Sequence, residues 1–245
     1  MLRVWGVPRA RPTMDIDLLR RGKADQAALV DFVTRCTAVV DAGDAVKFDA
    51  GTIVAEPITE DADYAGTRIR LVARMGNLRQ TVQIDFGVGD AVVPGPVMIE
   101  YPLLLGGEPL RLNAYPVEAA IAEKYHAMVV RDLANSRMKD FYDVWFLSKL
   151  FAFDGRTLCE AVGNTFKRRS TPIPDGLPLA FTDDFREDVQ KQAQWRAFVR
   201  RSRFESESGL DEIVAQVRGF ASAPLSATAR EESFDLKWRP GGPWE

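Results

Sequence analysis

The chain has 245 residues, 46% hydrophobic and 27% charged, a composition that supports a packed core and excludes disorder as the default. Its net charge is −3, from 32 basic and 35 acidic residues, which excludes a wholly cationic molecule. One histidine, His126, and two distant cysteines, Cys36 and Cys159, leave almost no material for a zinc cage or a serine or cysteine triad, so chemistry must rest on carboxylates, lysine, arginine and metal.

No run approaches the roughly eighteen apolar residues that would span a bilayer. Met1-Leu2-Arg3-Val4-Trp5-Gly6 has no signal-peptide core, so a cytoplasmic protein without membrane contact is expected. The length suits one large domain or two small ones.

In chain order, residues 13–19 alternate apolar and acidic at period two and predict a strand, with Met14, Ile16 and Leu18 turned into a core. Asp25 caps a predicted helix running to Val40, whose Leu29, Phe32, Val33 and Cys36 recur at helical spacing, with Gly43 just past its end. Strands are predicted at 45–55, 67–74 and 80–86. Gly76 and Asn77 lie between the last two as a hairpin signal, in a loop longer than two residues.

Residues 87–111, rich in Gly and Pro, read as a loop-rich connection and a domain boundary. Beyond it the pattern is helical: 115–132 with Pro116 in its first turn, then 139–151, 155–168, 182–204 and 208–220. The expected organisation is α+β: an α/β core over 1–110, a helical domain over 111–221 and a loosely ordered tail over 222–245.

Asp15 and Asp17, two apart on a strand, leave the same face. Carboxylates so placed repel unless a cation sits between them, so the pair can form a magnesium site for a triphosphate, although the same spacing is found more often on an ordinary exposed edge strand. Asp85, between Ile84 and Phe86 on a second strand, adds a third carboxylate able to complete a two-metal set. Gly87 and Gly89 follow as turn residues or as a close backbone approach to ligand. Lys124 stands at the border of an apolar helical stripe, where it either snorkels to solvent or reaches a phosphate. Arg131, Arg137, Lys139, Asp140 and Asp143 continue in a dense charged run, while His126 reads as an ordinary core or surface histidine. Basic clusters stand at Lys167-Arg168-Arg169 and at Arg196, Arg200, Arg201 and Arg203, each a solvated surface or a phosphate-binding one.

Met14-Asp15-Ile16-Asp17-Leu18, Ile84-Asp85-Phe86, Ala122-Glu123-Lys124-Tyr125-His126-Ala127-Met128 and Arg137-Met138-Lys139-Asp140-Phe141-Tyr142-Asp143, in this order over about residues 1–205, resemble the AbiEii/AbiGii toxin family of nucleotidyltransferases. The resemblance implies a DNA polymerase β-like nucleotidyltransferase core with a mixed sheet and a helical C-terminal lobe. It implies the toxin half of a bacterial toxin–antitoxin or abortive-infection system, with a winged-helix antitoxin encoded nearby. The implied reaction moves a nucleotide from an NTP to an RNA acceptor, tRNA first, with Mg2+ or Mn2+. Asp15, Asp17 and Asp85 would be metal ligands, Lys124 would contact nucleotide phosphate, Asp143 would be the acid of the last motif, and Arg137 and Lys139 would support phosphate.

One departure accompanies the resemblance. The superfamily carries a Gly-Gly or Gly-Ser turn ten to thirteen residues before the first aspartate, whereas this chain has a single Gly6 followed by Val7 and Pro8. Leu2-Arg3-Val4-Trp5 instead resembles the end of the helix after that turn, so the first strand, the glycine turn and most of the helix are expected to be missing. Two expectations follow: either the reading frame starts upstream of Met1 and supplies the turn, or this is a truncated, non-catalytic member that binds nucleotide or RNA. A carboxylate-metal nuclease is a third.

Overall fold

The computed structural model describes residues 4–5, 15–20, 22, 25–39, 45–58, 66–89, 92–103, 106–202 and 208–245. The chain divides into two compact units, Pro12–Asp90 and the remainder, which joins Met1–Arg11 to Ala91–Glu245. The division falls in the Gly- and Pro-rich text expected to hold a boundary, but at 90/91 rather than 110/111.

The first unit is a four-stranded mixed sheet with one helix. Its strands are β1 (Asp15–Arg20), β2 (Lys47–Pro57), β3 (Gly66–Met75) and β4 (Leu78–Val88), and its helix is α1 (Gln26–Thr37). Spatial order is β1-β4-β3-β2, with β1 parallel to β4 and the other neighbours antiparallel. The turn between β3 and β4 is only two residues long, because Met75 pairs with Leu78. Gly76 takes φ 56° there, the positive value a tight hairpin requires and glycine adopts at low cost. As expected, Asp25 caps α1: its side chain accepts from the Ala28 amide at 2.8 Å. The helix ends at Thr37; Val40 and Gly43 lie outside the described residues.

Leu29 and Val33 of α1 pack against Ile69, Leu71 and Phe86 to form this unit's core. Ile16 and Leu18 share the face of Ile84 and Phe86 by register, yet remain 47% and 41% exposed. The expectation that they enter the core is corrected: among the described residues α1 packs mainly on the β2 side of the sheet, away from edge strand β1. Met14 lies outside the described residues.

In the second unit, residues expected as loop form a hairpin, β5 (Val97–Tyr101) with β6 (Leu110–Ala114). The helices follow: α2 (Val117–Arg131), α3 (Met138–Leu150), α4 (Gly155–Arg168), α5 (Asp183–Glu187), α6 (Val189–Ser202) and α7 (Leu210–Ala229), with two short strands, β7 (Phe153–Asp154) and β8 (Lys237–Trp238). Pro116 is the extended residue just before α2. The helix expected over 182–204 is two, interrupted at Asp188, which has extended backbone. Val4 and Trp5 form a turn, and Trp5 packs on this unit's core; Leu2, Arg3 and Gly6 lie outside the described residues.

α7 runs nine residues beyond its expected end, straight through Pro224. Proline has no N–H for the carbonyl four residues back, which is that of Phe220. That carbonyl accepts instead from the Trp244 indole at 3.0 Å, so it keeps a hydrogen-bond partner. The loosely ordered tail expected over 222–245 is thus replaced by packed chain. Trp238 is buried, donates to the Ser148 carbonyl at 2.7 Å and packs at a tilt against Phe220 and Trp244, which stack on each other. Gly155 makes room for it, since a Cβ there would lie 2.5 Å from the Phe234 ring.

Candidate functional site

Each unit holds its own cluster of the residues singled out in the sequence. On the sheet, parallel register aligns Asp17 with Asp85 and Asp15 with Gln83. Aligned residues on neighbouring strands leave the same face, so the three aspartates share the face opposite α1. Asp15 is half-buried and Asp17 exposed. β1 is an edge strand, paired along one side only among the described residues.

Asp85 is differently placed from the other two. Arg68, opposite it on β3, binds it through both prongs, Nε to Oδ1 at 2.9 Å and Nη2 to Oδ2 at 2.8 Å. A planar guanidinium fork matched to a carboxylate is a strong, directional pair, and both side chains are largely buried. Gln83 adds a longer contact to Oδ2 at 3.4 Å. Among the described residues no three Asp, Glu, His or Cys side chains converge as a metal cage. The two carboxylates of β1 are hard oxygen donors of the kind that Mg2+ or Mn2+ takes, and Asp85 has the Arg68 guanidinium as a counter-charge. Replacing Arg68 by Met is expected to lower the thermal midpoint in metal-free buffer, because Asp85 loses its counter-charge. Part of that loss is expected to return on adding Mg2+, measured as a thermal shift with and without the ion.

The helical unit carries a four-membered network. Lys124, on α2, donates to Asp143 Oδ2 at 2.8 Å and to Asp140 Oδ1 at 3.3 Å. Arg137, just before α3, donates from Nε to Asp140 Oδ2 at 2.6 Å. Asp140 and Asp143 are each 1% exposed, so these bonds are made where unpaired charge is most costly. Lys124 therefore neither snorkels nor stands apart; it is anchored by both carboxylates. Lys139 is half-buried beside them and pulls electrostatically on Asp140.

Burial alone would raise the pKa of Asp140, but Lys124, Arg137 and the Arg137 hydrogen bond outweigh it and hold the carboxyl below its ordinary value. The unfolded chain protonates Asp140 near 3.8 and the folded chain only at lower pH, so the unfolded state takes up protons first as acid is added. Stability from this group is present above about pH 4 and is lost as pH falls through the folded value. Asp140→Asn is expected to flatten that acid limb, read as thermal midpoint against pH.

His126, as expected, is a satisfied buried histidine, bonded to Thr171 Oγ1 at 2.9 Å and packed edge-on to Phe166. Of the basic clusters, Arg169 pairs with Glu123, while Arg196, Arg200 and Arg201 are exposed on α6 and Arg203 lies outside the described residues. Arg68 escaped the sequence reading, although the two-residue turn places it opposite Asp85 by counting alone. Asp140 was within the charged run but given no role, and its burial on the inner side of α3 is the signal that separates it from Lys139.

The family described as "Nucleotidyl transferase AbiEii toxin, Type IV TA system" matches residues 1–217. The chain belongs to this family. The resemblance drawn from Asp15, Asp17, Asp85, Lys124 and the 137–143 run is thereby borne out, as is the mixed α/β nucleotidyltransferase fold. A Helicobacter pylori protein solved as a candidate nucleotidyltransferase shares the fold at TM-score 0.50 and 13% identity, covering 95% of this chain and 86% of its own. JHP933, also from Helicobacter pylori, is similar at TM-score 0.45 and 14% identity, covering 90% and 75%. No curated protein matches the chain. Membership of a type IV toxin–antitoxin family implies an antitoxin partner, and among the described residues no helix is long and apolar enough to cross a membrane.

Proposed function

We propose that this chain is the toxin that transfers a nucleotide from an NTP to an RNA acceptor, tRNA first, with Mg2+ or Mn2+, in the cytoplasm. The observation that carries the proposal is the pair Asp15 and Asp17 on one face of an edge strand, with Asp85 in register beside Asp17. Asp15 and Asp17 would hold the cation, and Asp85, paired to Arg68, would orient that face. Bound there, the cation would offset the charge of the triphosphate and acidify the attacking hydroxyl.

Lys124, Arg137 and Lys139 supply the cationic side chains for phosphate, and Asp143 keeps Lys124 in one place through its 2.8 Å bond. The acceptor hydroxyl forms a P–O bond at the α-phosphorus, its proton leaves, and pyrophosphate departs. Such a reaction asks of the protein mainly positioning and charge neutralisation. The cognate antitoxin is, in this proposal, a winged-helix protein encoded nearby. Incubation of the chain with labelled NTP, Mg2+ and total tRNA tests the proposal by the appearance of label in RNA.

A second reading, a non-catalytic nucleotide- or RNA-binding member, is favoured by the Arg68 fork that already engages both oxygens of Asp85. Nucleotide binding that is unchanged in an Asp15→Ala, Asp17→Ala double variant, together with no transfer by the wild type, would establish it.

A further inference from the structure

Lys191 is the one lysine among the buried polar residues of the described chain, at 6% exposure. It stands on the first turn of α6, its amide capped by Asp188 Oδ1 at 2.8 Å. Its ammonium donates to the backbone carbonyl of Asn135 at 3.0 Å and lies 5.3 Å from the centre of the Phe185 ring. A buried ammonium is costly to maintain. Here it is spent on a main-chain carbonyl rather than on a carboxylate, which is an expensive way to fasten an ordinary loop.

What it fastens is the entry to α3. Asn135 is fully buried. Its side-chain oxygen accepts from the Arg137 amide at 2.8 Å, and its own amide donates to the Asp132 carbonyl at 3.0 Å. Arg137 then reaches Asp140, and Asp140 reaches Lys124. A continuous line of bonds thus runs from α6 through Asn135 and Arg137 to Asp140 and the ammonium of Lys124. Bonds with a charged donor in a buried setting are stronger and more directional than neutral ones. A side chain held at both ends is pre-organised for a ligand and loses less freedom when the ligand arrives.

We propose that Lys191 is a positioning residue that, through Asn135, fixes Arg137 and the Asp140–Lys124 pair for nucleotide phosphate. This rests on the phosphate role proposed above for Arg137 and Lys124. Lys191 touches neither of them; it sets the backbone from which Arg137 projects.

Lys191→Met keeps the length of the stem and removes the donor, and replacing a buried charge with an apolar group of similar volume need not destabilise the fold. In the full chain, hydrogen–deuterium exchange is expected to rise about tenfold over residues 135–140 while α4 and α7 stay protected. Exchange that is unchanged at 135–140, or raised throughout the unit, overturns the proposal. In transfer assays the KM for NTP is expected to rise about tenfold with kcat little altered, and the combination with Arg137→Ala to be no worse than Arg137→Ala alone. Additive effects of the two substitutions also overturn it. Should Lys191→Met not fold, Lys191→Gln, which retains a neutral donor, gives the same comparison. Should the wild type transfer no nucleotide, the proposed function falls, and the exchange measurement still decides the role of Lys191.

Discussion

Asp17→Ala is expected to abolish nucleotide transfer while leaving the sheet intact. Asp17 is exposed on an edge strand, and exposed substitutions usually change stability by no more than about 0.5 kcal/mol. A metal-ligating carboxylate, in contrast, supports several kcal/mol of charge stabilisation in the transition state, so its loss costs about a thousandfold in rate. Asp15→Ala is expected to match it in activity with a somewhat larger stability cost, because Asp15 is half-buried. Rates of label incorporation set beside thermal midpoints separate the two effects. Loss of activity in step with loss of folding would assign both residues a structural role only.

The second large effect is on folding. Lys124→Ala is expected to destabilise the helical unit by about 3 kcal/mol, because it withdraws the ammonium that bonds two buried carboxylates. Arg137 still covers Asp140, so Asp143 bears most of the loss. The thermal midpoint is expected to fall by about 10 °C, given roughly 2–4 °C per kcal/mol for a unit of this size. Adding Asp143→Asn to Lys124→Ala is expected to restore part of it, since a neutral amide is less costly to bury than an unpaired charge. A midpoint within a degree or two of wild type for Lys124→Ala would show that the pair carries no net stability.

Much of this was legible in the sequence, for identifiable reasons. Period-two alternation around Asp15, Asp17 and Asp85 set which side chains share a face, and the parallel register of β1 on β4 places them there. Asp25 as a helix cap and α4 over 155–168 follow from short-range rules that tertiary contacts leave untouched. The family resemblance rested on the charged run from Lys124 to Asp143, and the match over residues 1–217 supports it.

The remainder required contacts between distant residues. Proline normally ends a helix, and where α7 continues past Pro224 the indole of Trp244, twenty-four residues away from Phe220, takes up the freed carbonyl. The β5–β6 hairpin was hidden because glycine and proline flank strands of only five residues. The bond from Lys191 to Asn135 joins residues fifty-six apart, with no pattern to announce it. Arg68 is different. Once Gly76 and Asn77 are taken as the whole of the turn, its place opposite Asp85 follows from counting along the hairpin.

Incubating the chain with α-labelled NTPs and tRNA tests metal-dependent nucleotide transfer to RNA. Labelled, lengthened RNA is expected in Mg2+, none in a chelator, and none from the Asp15→Ala, Asp17→Ala double variant. RNA that is shortened, or left unlabelled by the wild type with every NTP, would contradict it.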